Sequence, residues 1–414
     1  MKTKFRLPAL VVFIAVTASL VVAQSEDKRE PDRTGHPPKP NGAPPPQPRG
    51  QFGDPLPGLT ADELSDFTTG QLQFQEVDTI ASGLGPVYNN VSCVACHSTP
   101  AIGGASAIVE TRFGKMTASG TFDPLTSEGG SLLQQAAINP ACQESIPADA
   151  NVVATRKTTQ LFGLGLIEAI SDTTIIGNIH RMPVDGITGK AAIITDVASG
   201  VQRVGRFGWK NQQATLLAFA GDAYVNEIGI TNRLFPTENA PNGNEDLLAE
   251  FDTVADPEDT PDPVTGKADI DRFADFMRYL APPPPAPPTA QTMQGKAIFQ
   301  QINCTACHLP SMTTGPNTIA ALSNKEVNLY SDLLLHDMGL LGDGIAQSAA
   351  GIHEMRTAPL WGLRARPPYL HDGRAATVDA AIRLHDGEAV TVRNRYIQLT
   401  PQQQNALLTF LNSL

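Results

Sequence analysis

Two copies of the pattern Cys-x-x-Cys-His are the residues of this chain that most directly indicate chemistry. The first is CVACH at Cys93–His97, and the second is CTACH at Cys304–His308. Two thiols at this spacing can add to the two vinyl groups of one haem, and the next His then lies under the iron as its ligand. A zinc site would need further ligands from closed clusters, and a thioredoxin-like pair carries no trailing His. The sequence therefore predicts two covalently bound haem c groups, attached through Cys93, Cys96, Cys304 and Cys307, with His97 and His308 as iron ligands.

The N-terminus has the pattern of an export signal. Three cations precede an apolar run over residues 7–22, and small residues then come before Gln24. This pattern is typical of a cleaved secretory signal peptide over residues 1–23, with an uncleaved anchor as the alternative. Haem is joined to such motifs outside the cytoplasm. We therefore predict a periplasmic protein with no transmembrane segment in the mature chain.

The charge of the chain limits the choice of partners. The formal net charge is −12, and removal of residues 1–23 makes it more negative, since they hold cations and no acids. The chain contains no cluster of Lys and Arg, whereas phosphate binding needs a basic surface. Nucleic acid is therefore excluded as the expected partner. A small molecule, or a partner protein with basic patches, is favoured.

Changes in composition divide the chain into five segments. They are the signal peptide (1–23), a Pro/Gly-rich tether predicted to be disordered (24–58), a first haem domain with insertions (59–280), a polyproline linker (281–288) and a second haem domain (289–414). Apolar residues recur at helical spacing before the linker and at the end of the chain. We predict a mainly α fold with two cytochrome c-like haem domains. Alternating apolar residues at 191–204 predict a small β-hairpin inserted in the first domain.

The two predicted domains repeat the same short segments in the same order. The pairs are GQLQF (70–74) with GKAIF (295–299), CVACH with CTACH, LFGL (161–164) with LWGL (360–363), and FGWKNQQATL (207–216) with YLHDGRAATV (369–378). The last pair places Trp209 opposite His371. Two homologous haem domains are the simplest account of this order.

Seven segments together resemble the bacterial di-haem cytochrome c peroxidase superfamily, which includes MauG. Within it, the chain is most similar to the di-haem oxidoreductase family that is often labelled thiol oxidoreductase. The resemblance runs from about residue 59 to residue 414. The segments are GLGPVYNN (83–90), LFGLGLIEAI (161–170), GRFGWK (205–210), NEIGITNRLFP (226–236), YSDLLLHDMG (330–339), RTAPLWGL (356–363) and YLHDGRAAT (369–377).

The resemblance implies a second iron ligand for the C-terminal haem. In the relatives this ligand lies fourteen residues after the His of the HDG motif, which leads from His371 to His385. The relatives carry Met or Tyr there, so this chain departs from them in ligand type. A His/His pair saturates the iron, and this haem then stores and passes electrons. His336 and Met338 are the rival ligands, and no such ligand stands out for the N-terminal haem.

The resemblance also implies roles for three further residues. Glu227 matches the acid near the N-terminal haem of the peroxidases, where it acts as a general acid and base on peroxide; a capping or ion-paired Glu is the alternative. Trp209 lies in the segment that carries electrons between the haems, with a large core residue as the alternative. His371 shapes the pocket of the C-terminal haem.

Two further features concern the charges around the haems. Arg364, Arg366 and Arg374 are candidates for neutralising haem propionates, and no motif selects among them. The peroxidases hold a calcium ion partly through a Thr two residues before a Pro. Arg366 occupies that position before Pro368. Calcium is therefore doubtful, and we do not predict it.

We expect peroxide-dependent oxidation as the activity. The N-terminal haem would reduce hydrogen peroxide or oxidise a small-molecule or protein substrate, and a small redox protein or another periplasmic donor would supply electrons. A non-enzymatic di-haem electron-transfer cytochrome is the alternative. A thiol oxidoreductase is a third possibility, for which Cys142 is the one cysteine outside the haem motifs. Cys142 is either a buried apolar residue or a reactive thiol.

Overall fold

The chain contains α-helices on both sides of the polyproline segment. A computed structural model describes residues 50–254 and 260–414; the predicted signal peptide and most of the predicted tether lie outside the described residues. No helix in these two ranges is both long and apolar enough to cross a bilayer. The α-helices are α1 (Ala61–Gln73), α2 (Cys93–Cys96), α3 (Leu164–Glu168), α4 (Asp172–Ile176), α5 (Leu216–Ala223), α6 (Glu245–Phe251), α7 (Asp269–Tyr279), α8 (Ala290–Gln301), α9 (Val378–Leu384), α10 (Val390–Ile397) and α11 (Pro401–Leu411).

The chain also contains a four-stranded sheet that no pattern in the sequence predicted. The strands are β1 (Val87–Tyr88), β2 (Val109–Met116), β3 (Phe122–Asp123), β4 (Leu132–Leu133), β5 (Ala136–Ala137), β6 (Val152–Lys157), β7 (Ile193–Thr195), β8 (Gln202–Val204), β9 (Met312–Thr313), β10 (Glu326–Val327), β11 (Leu335–Asp337) and β12 (Glu354–Arg356). Strand β2 pairs antiparallel with β3, β4 and β6. Its sequence, VETRFGKM, is too charged to indicate a strand facing a cavity. The fold is therefore partly helical.

The other strands form four short antiparallel pairs. They are β1 with β5, β7 with β8, β9 with β10, and β11 with β12. Ile193 lies opposite Val204 in the β7–β8 pair. This pair falls within the segment for which alternating apolar residues predict a hairpin.

Each haem motif follows a helix that packs against a later helix. Helix α1 contacts α7, and helix α8 contacts α11. A glycine permits each close approach. A Cβ atom at Gly70 would lie 2.3 Å from the carbonyl oxygen of Arg272, and one at Gly295 would lie 2.1 Å from that of Ala406. Neither position can hold a larger residue without displacing the partner helix.

The repeated sequence FGWKNQQATL/YLHDGRAATV has the same local structure in both halves. In each copy, a bridge between two extended residues comes just before a helix whose first turn is capped by a Thr side chain. The bridges are Phe207–Gln213 and Tyr369–Ala375. The capping residues are Thr215 for α5 and Thr377 for α9, at the same interval from their bridges. The two helices can therefore be compared position by position.

The packed part of the chain begins before residue 59. The amide of Leu56 donates to the carbonyl oxygen of Tyr279 at 2.7 Å, and the amide of Ala281 donates to that of Asp54 at 2.9 Å. Leu56 is buried in the core. These bonds attach residues 50–58, which the sequence places at the end of the tether, to the end of α7.

The two halves are joined by a shared core and by buried charges. The largest cluster of buried apolar residues has members on both sides of the polyproline segment. The carboxylate of Asp343 lies 2.8 Å from Arg156 and 2.8 Å from Lys210, and these side chains are almost fully buried. Breaking such a pair leaves an uncompensated buried charge, so the network fixes the C-terminal half against the N-terminal half.

Candidate functional site

Each Cys-x-x-Cys-His motif lines a large cavity. The cavity at the second motif, here called the C-terminal cavity, measures about 1560 Å³, and the N-terminal cavity at the first motif measures about 1310 Å³. Both volumes include space that is open to solvent. Each cavity is therefore a candidate site for a large group that the motif residues could hold. The motif residues that line them are Cys304, Cys307 and His308 in one, and Cys93, Cys96 and His97 in the other.

His308 and His385 face each other across the C-terminal cavity, with their ring centroids 6.4 Å apart. His308 Nδ1 lies 3.1 Å from the carbonyl oxygen of Tyr330, and His385 Nδ1 lies 2.8 Å from that of Ala381. Because each Nδ1–H donates to a carbonyl, each Nε2 keeps its lone pair for a metal. Two imidazoles on opposite sides of one metal ion, with bonds of about 2.0 Å, have centroids about 6.3 Å apart. The spacing fits two ligands of one iron.

His336 has no ring nitrogen left for iron. Its Nε2 lies 2.9 Å from the Asp332 carboxylate, and its Nδ1 lies 2.6 Å from that of Glu388. Burial opposes a charge on this ring, but hydrogen bonds with Asp332, Cys307 and Glu388 outweigh it and raise the pKa of His336 to about 12. A protonated imidazole cannot bind a metal. Of the rival ligands, Met338 is the one that remains among the residues lining the cavity.

His97 is held in the same way as His308. Its Nδ1 lies 3.0 Å from the carbonyl oxygen of Gly104, so its Nε2 is likewise free. Burial lowers the pKa of both His97 and His308 to about 4, which keeps the two rings neutral. The Phe of each Gly-x-x-x-Phe segment lies beside them. The centroid of Phe74 is 5.9 Å from that of His97, and the centroid of Phe299 is 6.4 Å from that of His308.

The two cavities differ at the position of His385. Counted from the capping residues Thr377 and Thr215, His385 and Ala223 occupy equivalent positions at the ends of α9 and α5. Ala223 lines the N-terminal cavity, as His385 lines the C-terminal one. An alanine side chain offers no atom to a metal. The repeat thus carries an imidazole in one half and a methyl group in the other.

Glu227 lies in a π-helical turn, Tyr224–Ile228, that continues α5. Such turns are frequent at functional sites. The amide nitrogen of the Asn89 side chain donates to Glu227 Oε2 at 2.6 Å, and the backbone amides of Asn89 and Asn90 donate to the Glu227 carbonyl oxygen. Burial and the charge of Glu110 raise the pKa of Glu227 to about 8. Its carboxyl group therefore holds a proton more readily than an exposed glutamate does.

Five charged residues that line the N-terminal cavity, Lys157 among them, were missed by the sequence analysis. Glu110 and Arg112 share one face of β2 and form two hydrogen bonds, of 2.9 and 3.3 Å. Asp222 of α5 and Arg156 of β6 line the same cavity. Burial opposes the charge on Glu110, but Arg112 outweighs it and lowers the pKa of that carboxyl below its usual range. The one pattern in the sequence that could have indicated them is the spacing of Glu110 and Arg112, which are two residues apart and so lie on one face of a strand.

Trp209 and His371 form the wall between the cavities. Trp209 lines both of them, and its ring meets that of His371 edge-on, with centroids 6.3 Å apart. Trp209 Nε1 donates to the carbonyl oxygen of Lys157 at 2.8 Å, and the Lys157 amide donates to that of His371 at 2.6 Å. Trp361 is instead buried in the core. The sequence-predicted pair therefore lies together, in the wall that Trp209 forms between the two cavities.

Three cations beside this wall need an anionic partner. Lys157, Arg356 and Arg366 line the C-terminal cavity, and none forms an ion pair within residues 50–254 and 260–414. Arg366 Nε is buried without a hydrogen-bond acceptor. Burial lowers the pKa of Arg356 and Arg366 to about 10 and that of Lys157 to about 8. Buried cations require compensation, and haem propionates would supply it. The residues present therefore fit haem.

The remaining candidates lie outside this arrangement. Arg364 donates to the carbonyl oxygens of Leu414 and Pro284, and Arg374 pairs with Asp372 at the surface. Arg366 is thus the one of the three predicted arginines placed to meet a propionate. Cys142 is 1% exposed, and burial raises the pKa of its thiol. A buried thiol with a raised pKa is unreactive.

Replacing Arg366 by Gln should lower the reduction potential of the C-terminal haem. A nearby cation favours the reduced iron, which carries one positive charge fewer. An interaction on the order of 1 kcal/mol corresponds to roughly 40 mV for one electron. Spectroelectrochemical titration measures this shift. The surface substitution Arg374→Gln is the control and should leave the potential unchanged. Equal potentials for wild type and Arg366→Gln would contradict the placement of Arg366.

The geometry of the site agrees with a match to a known family. A family model described as "Di-haem oxidoreductase, putative peroxidase" matches residues 134–414, which is more than half of the chain. The matched region begins after the first Cys-x-x-Cys-His motif and includes the second. This chain belongs to the di-haem oxidoreductase family, as its sequence motifs predicted. No curated protein sequence matches the chain.

Several solved structures are similar to the chain at low identity. Hydrazine synthase of Kuenenia stuttgartiensis has 14% identity and a TM-score of 0.39, over 92% of this chain and 100% of that one. A MauG-like protein associated with microbial copper homeostasis has 15% identity and a TM-score of 0.42, over 90% and 95%. The diheme peroxidase BthA of Burkholderia thailandensis has 13% identity and a TM-score of 0.37, over 84% and 86%. The family assignment rests on the family match and not on these structures.

Proposed function

We propose that this chain is an exported di-haem oxidoreductase that uses hydrogen peroxide. It either reduces peroxide with electrons from a small redox protein or uses peroxide to oxidise a partner protein. Haem c is attached at each Cys-x-x-Cys-His motif. The haem above His97 is the catalytic one, whereas the haem above His308 stores and passes electrons.

The difference between Ala223 and His385 carries this proposal. In the C-terminal cavity, His308 and His385 would both hold a bound haem iron, which would leave no position on it for a substrate. In the N-terminal cavity, the residue equivalent to His385 is an alanine, so His97 would be the one ligand of this pair and peroxide could reach the metal. An electron carrier needs both irons saturated, whereas an enzyme that acts on peroxide needs one accessible iron.

The residues of the N-terminal cavity supply what peroxide reduction requires besides the metal. The overall reaction is H2O2 + 2 H⁺ + 2 e⁻ → 2 H2O. Bound haem supplies a Lewis-acidic iron and the electrons. Glu227 takes a proton from the inner oxygen of peroxide and returns it to the outer oxygen, which leaves as water when the O–O bond breaks. Asn89, which donates to Oε2 of Glu227, orients that carboxyl group.

Electrons reach the N-terminal cavity through its wall. Trp209 and His371 are in edge contact between the two cavities, and an oxidisable indole in that place suits a relay. The hydrogen bond from Trp209 Nε1 to Lys157 fixes the ring. The donor outside is a small redox protein whose basic surface complements the acidic chain, which has a formal net charge of −12. The pattern of residues 1–23 supports export to the periplasm.

The spin state of each iron tests the proposal. We expect the purified ferric protein to show one low-spin haem with two His ligands and one high-spin haem whose spectrum changes when peroxide is added. Electron paramagnetic resonance and optical spectroscopy measure both. Two low-spin haems that are inert to peroxide would contradict the proposal and support an electron-transfer cytochrome.

A further inference from the structure

We propose that Glu110 and Glu227 act as one proton-sharing pair, and that Arg112 holds the pair at a single proton. Glu110 and Arg112 are then positioning residues that act through Glu227. This inference rests on the proposed function and deepens it. It explains how a buried carboxyl group that holds its proton readily can still accept the proton of peroxide.

The two carboxyl groups meet from different elements. Glu110 projects from β2, and Glu227 projects from the π-helical turn after α5; both line the N-terminal cavity, and each shifts the pKa of the other. Two neighbouring carboxyl groups can share a hydrogen bond only when one of them carries a proton. Arg112 donates two hydrogen bonds to the carboxylate of Glu110, and the side-chain amide of Asn89 donates to Glu227 Oε2 at 2.6 Å. The pair is thus held on both sides by side chains that donate hydrogen bonds to it.

The charges around the pair favour one proton rather than none or two. Arg112, Arg156 and Lys157 are the cations that line the cavity, and Lys157 Nζ donates to the carbonyl oxygens of Arg366 and Pro368. Asp222 is a third carboxyl group in the cavity, and burial raises its pKa. Burial disfavours a second negative charge in the pair, while Arg112 keeps Glu110 ionised. The motif cysteines of the cavity, Cys93 and Cys96, become uncharged thioethers when haem is attached and do not alter this balance.

A pair with one proton can give and take a proton in the same step. Glu227 passes its own proton to the ionised Glu110 as it accepts the proton of the inner oxygen. Glu227 then gives a proton to the outer oxygen as Glu110 returns the one it received. The O–O bond breaks and one water leaves; the two electrons that this cleavage consumes come from the bound haems, as in the proposed function. The pair ends with one proton, as it began. A single carboxyl group that is protonated at the start could not accept the first proton.

Cyanide binding to the ferric protein tests the pair without measuring turnover. Hydrogen cyanide must give up its proton to bind iron as an anion, so the pH dependence of its association rate reports the groups that accept that proton. A plot of the association rate against pH has an inflection where the accepting group titrates. In Glu110→Gln, the loss of the neighbouring negative charge should move this inflection to lower pH by about one unit or more. In Arg112→Gln, the loss of the cation should move it to higher pH.

Controls separate these shifts from general damage to the fold. Arg112→Lys keeps the cation and should keep the inflection near its wild-type pH. Asp149 is a surface residue whose carboxylate lies 2.6 Å from Nζ of Lys115, a residue of β2 like Glu110 and Arg112. Asp149→Asn should therefore leave the pH of the inflection unchanged. Opposite shifts in Glu110→Gln and Arg112→Gln support the inference, since a structural defect would move both in one direction. Unmoved inflections in both variants would overturn it.

The same measurement distinguishes failure of the inference from failure of the proposed function. If cyanide binds neither haem of the wild-type protein at any pH, the iron above His97 is closed and the proposed function fails. If cyanide binds with an inflection that neither substitution moves, the iron is accessible and only the proton-sharing pair is wrong.

Discussion

Glu227→Gln should lower kcat/KM for hydrogen peroxide by about 10²–10⁴-fold, the usual contribution of a general acid–base group. The amide keeps the size of the side chain and can still accept the bond from Asn89, but it cannot take a proton from peroxide or return one. Steady-state kinetics with a reduced electron donor measure the loss. The optical spectrum of the resting ferric protein should stay the same, because Glu227 is not an iron ligand in this proposal.

A matched control for this change is Glu144→Gln. Glu144 is also a buried carboxyl group whose pKa is raised by burial, and it accepts from the backbone amides of Gln134 and Asn242. It lies outside the residues that line the two cavities. We expect its kcat/KM to remain within a few-fold of wild type. If Glu144→Gln lost as much activity as Glu227→Gln, burial of a carboxyl group rather than proton transfer would explain both results.

The parts of the site that the sequence could predict are those encoded by local spacing. The Cys-x-x-Cys-His motifs fix their residues within one turn, so no knowledge of the fold is needed to associate them. His385 and Trp209 were predicted because they occupy fixed positions in segments that resemble those of a known family. The structure places His385 opposite His308 and Trp209 beside His371. Both placements need only the repeat to keep its register.

The parts that the sequence could not predict depend on strand pairing and on distant contacts. Glu110 and Arg112 come to the N-terminal cavity because β2 pairs with β6, and a charged strand gives no apolar alternation to reveal it. Lys157 and Arg356 likewise line one cavity only because the two halves of the chain pack together. A short segment with several charges is usually a solvated surface. Nothing in its composition shows that a cofactor cavity covers it instead.

The division into two haem domains is also a matter of packing rather than of composition. The polyproline segment reads as a spacer between independent units. In the structure, the amide of Ala286 donates to the carbonyl oxygen of Ser413, and Arg364 donates to that of Pro284. The largest cluster of buried apolar residues also has members on both sides of this segment. Prolines define the local backbone, whereas the apolar surfaces on either side determine whether the segments separate. The two cavities therefore share a wall instead of facing each other across a flexible linker.

His385→Ala should convert the C-terminal haem from low spin to high spin, because the iron loses the ligand opposite His308. Electron paramagnetic resonance should show the low-spin signal of one haem disappearing, and added imidazole should restore it by filling the space that the side chain leaves. His385→Met should keep a ligand and raise the reduction potential, since His/Met ligation gives a higher potential than His/His. The combination of loss, rescue and raised potential is specific to a ligand.

His353→Ala provides the matched control for this change. His353 is an exposed histidine whose Nδ1 lies 3.0 Å from the carbonyl oxygen of Gly339, outside the residues lining both cavities, so its loss should leave the spectra unaltered. If the low-spin signal survives in His385→Ala, Met338 becomes the ligand to test, because it is the rival that lines the same cavity. The asymmetry between the haems would then still stand, since Ala223 offers no ligand in either case. If both irons instead become reactive towards peroxide in His385→Ala, the imidazole of His385 is what confines the chemistry to the N-terminal haem.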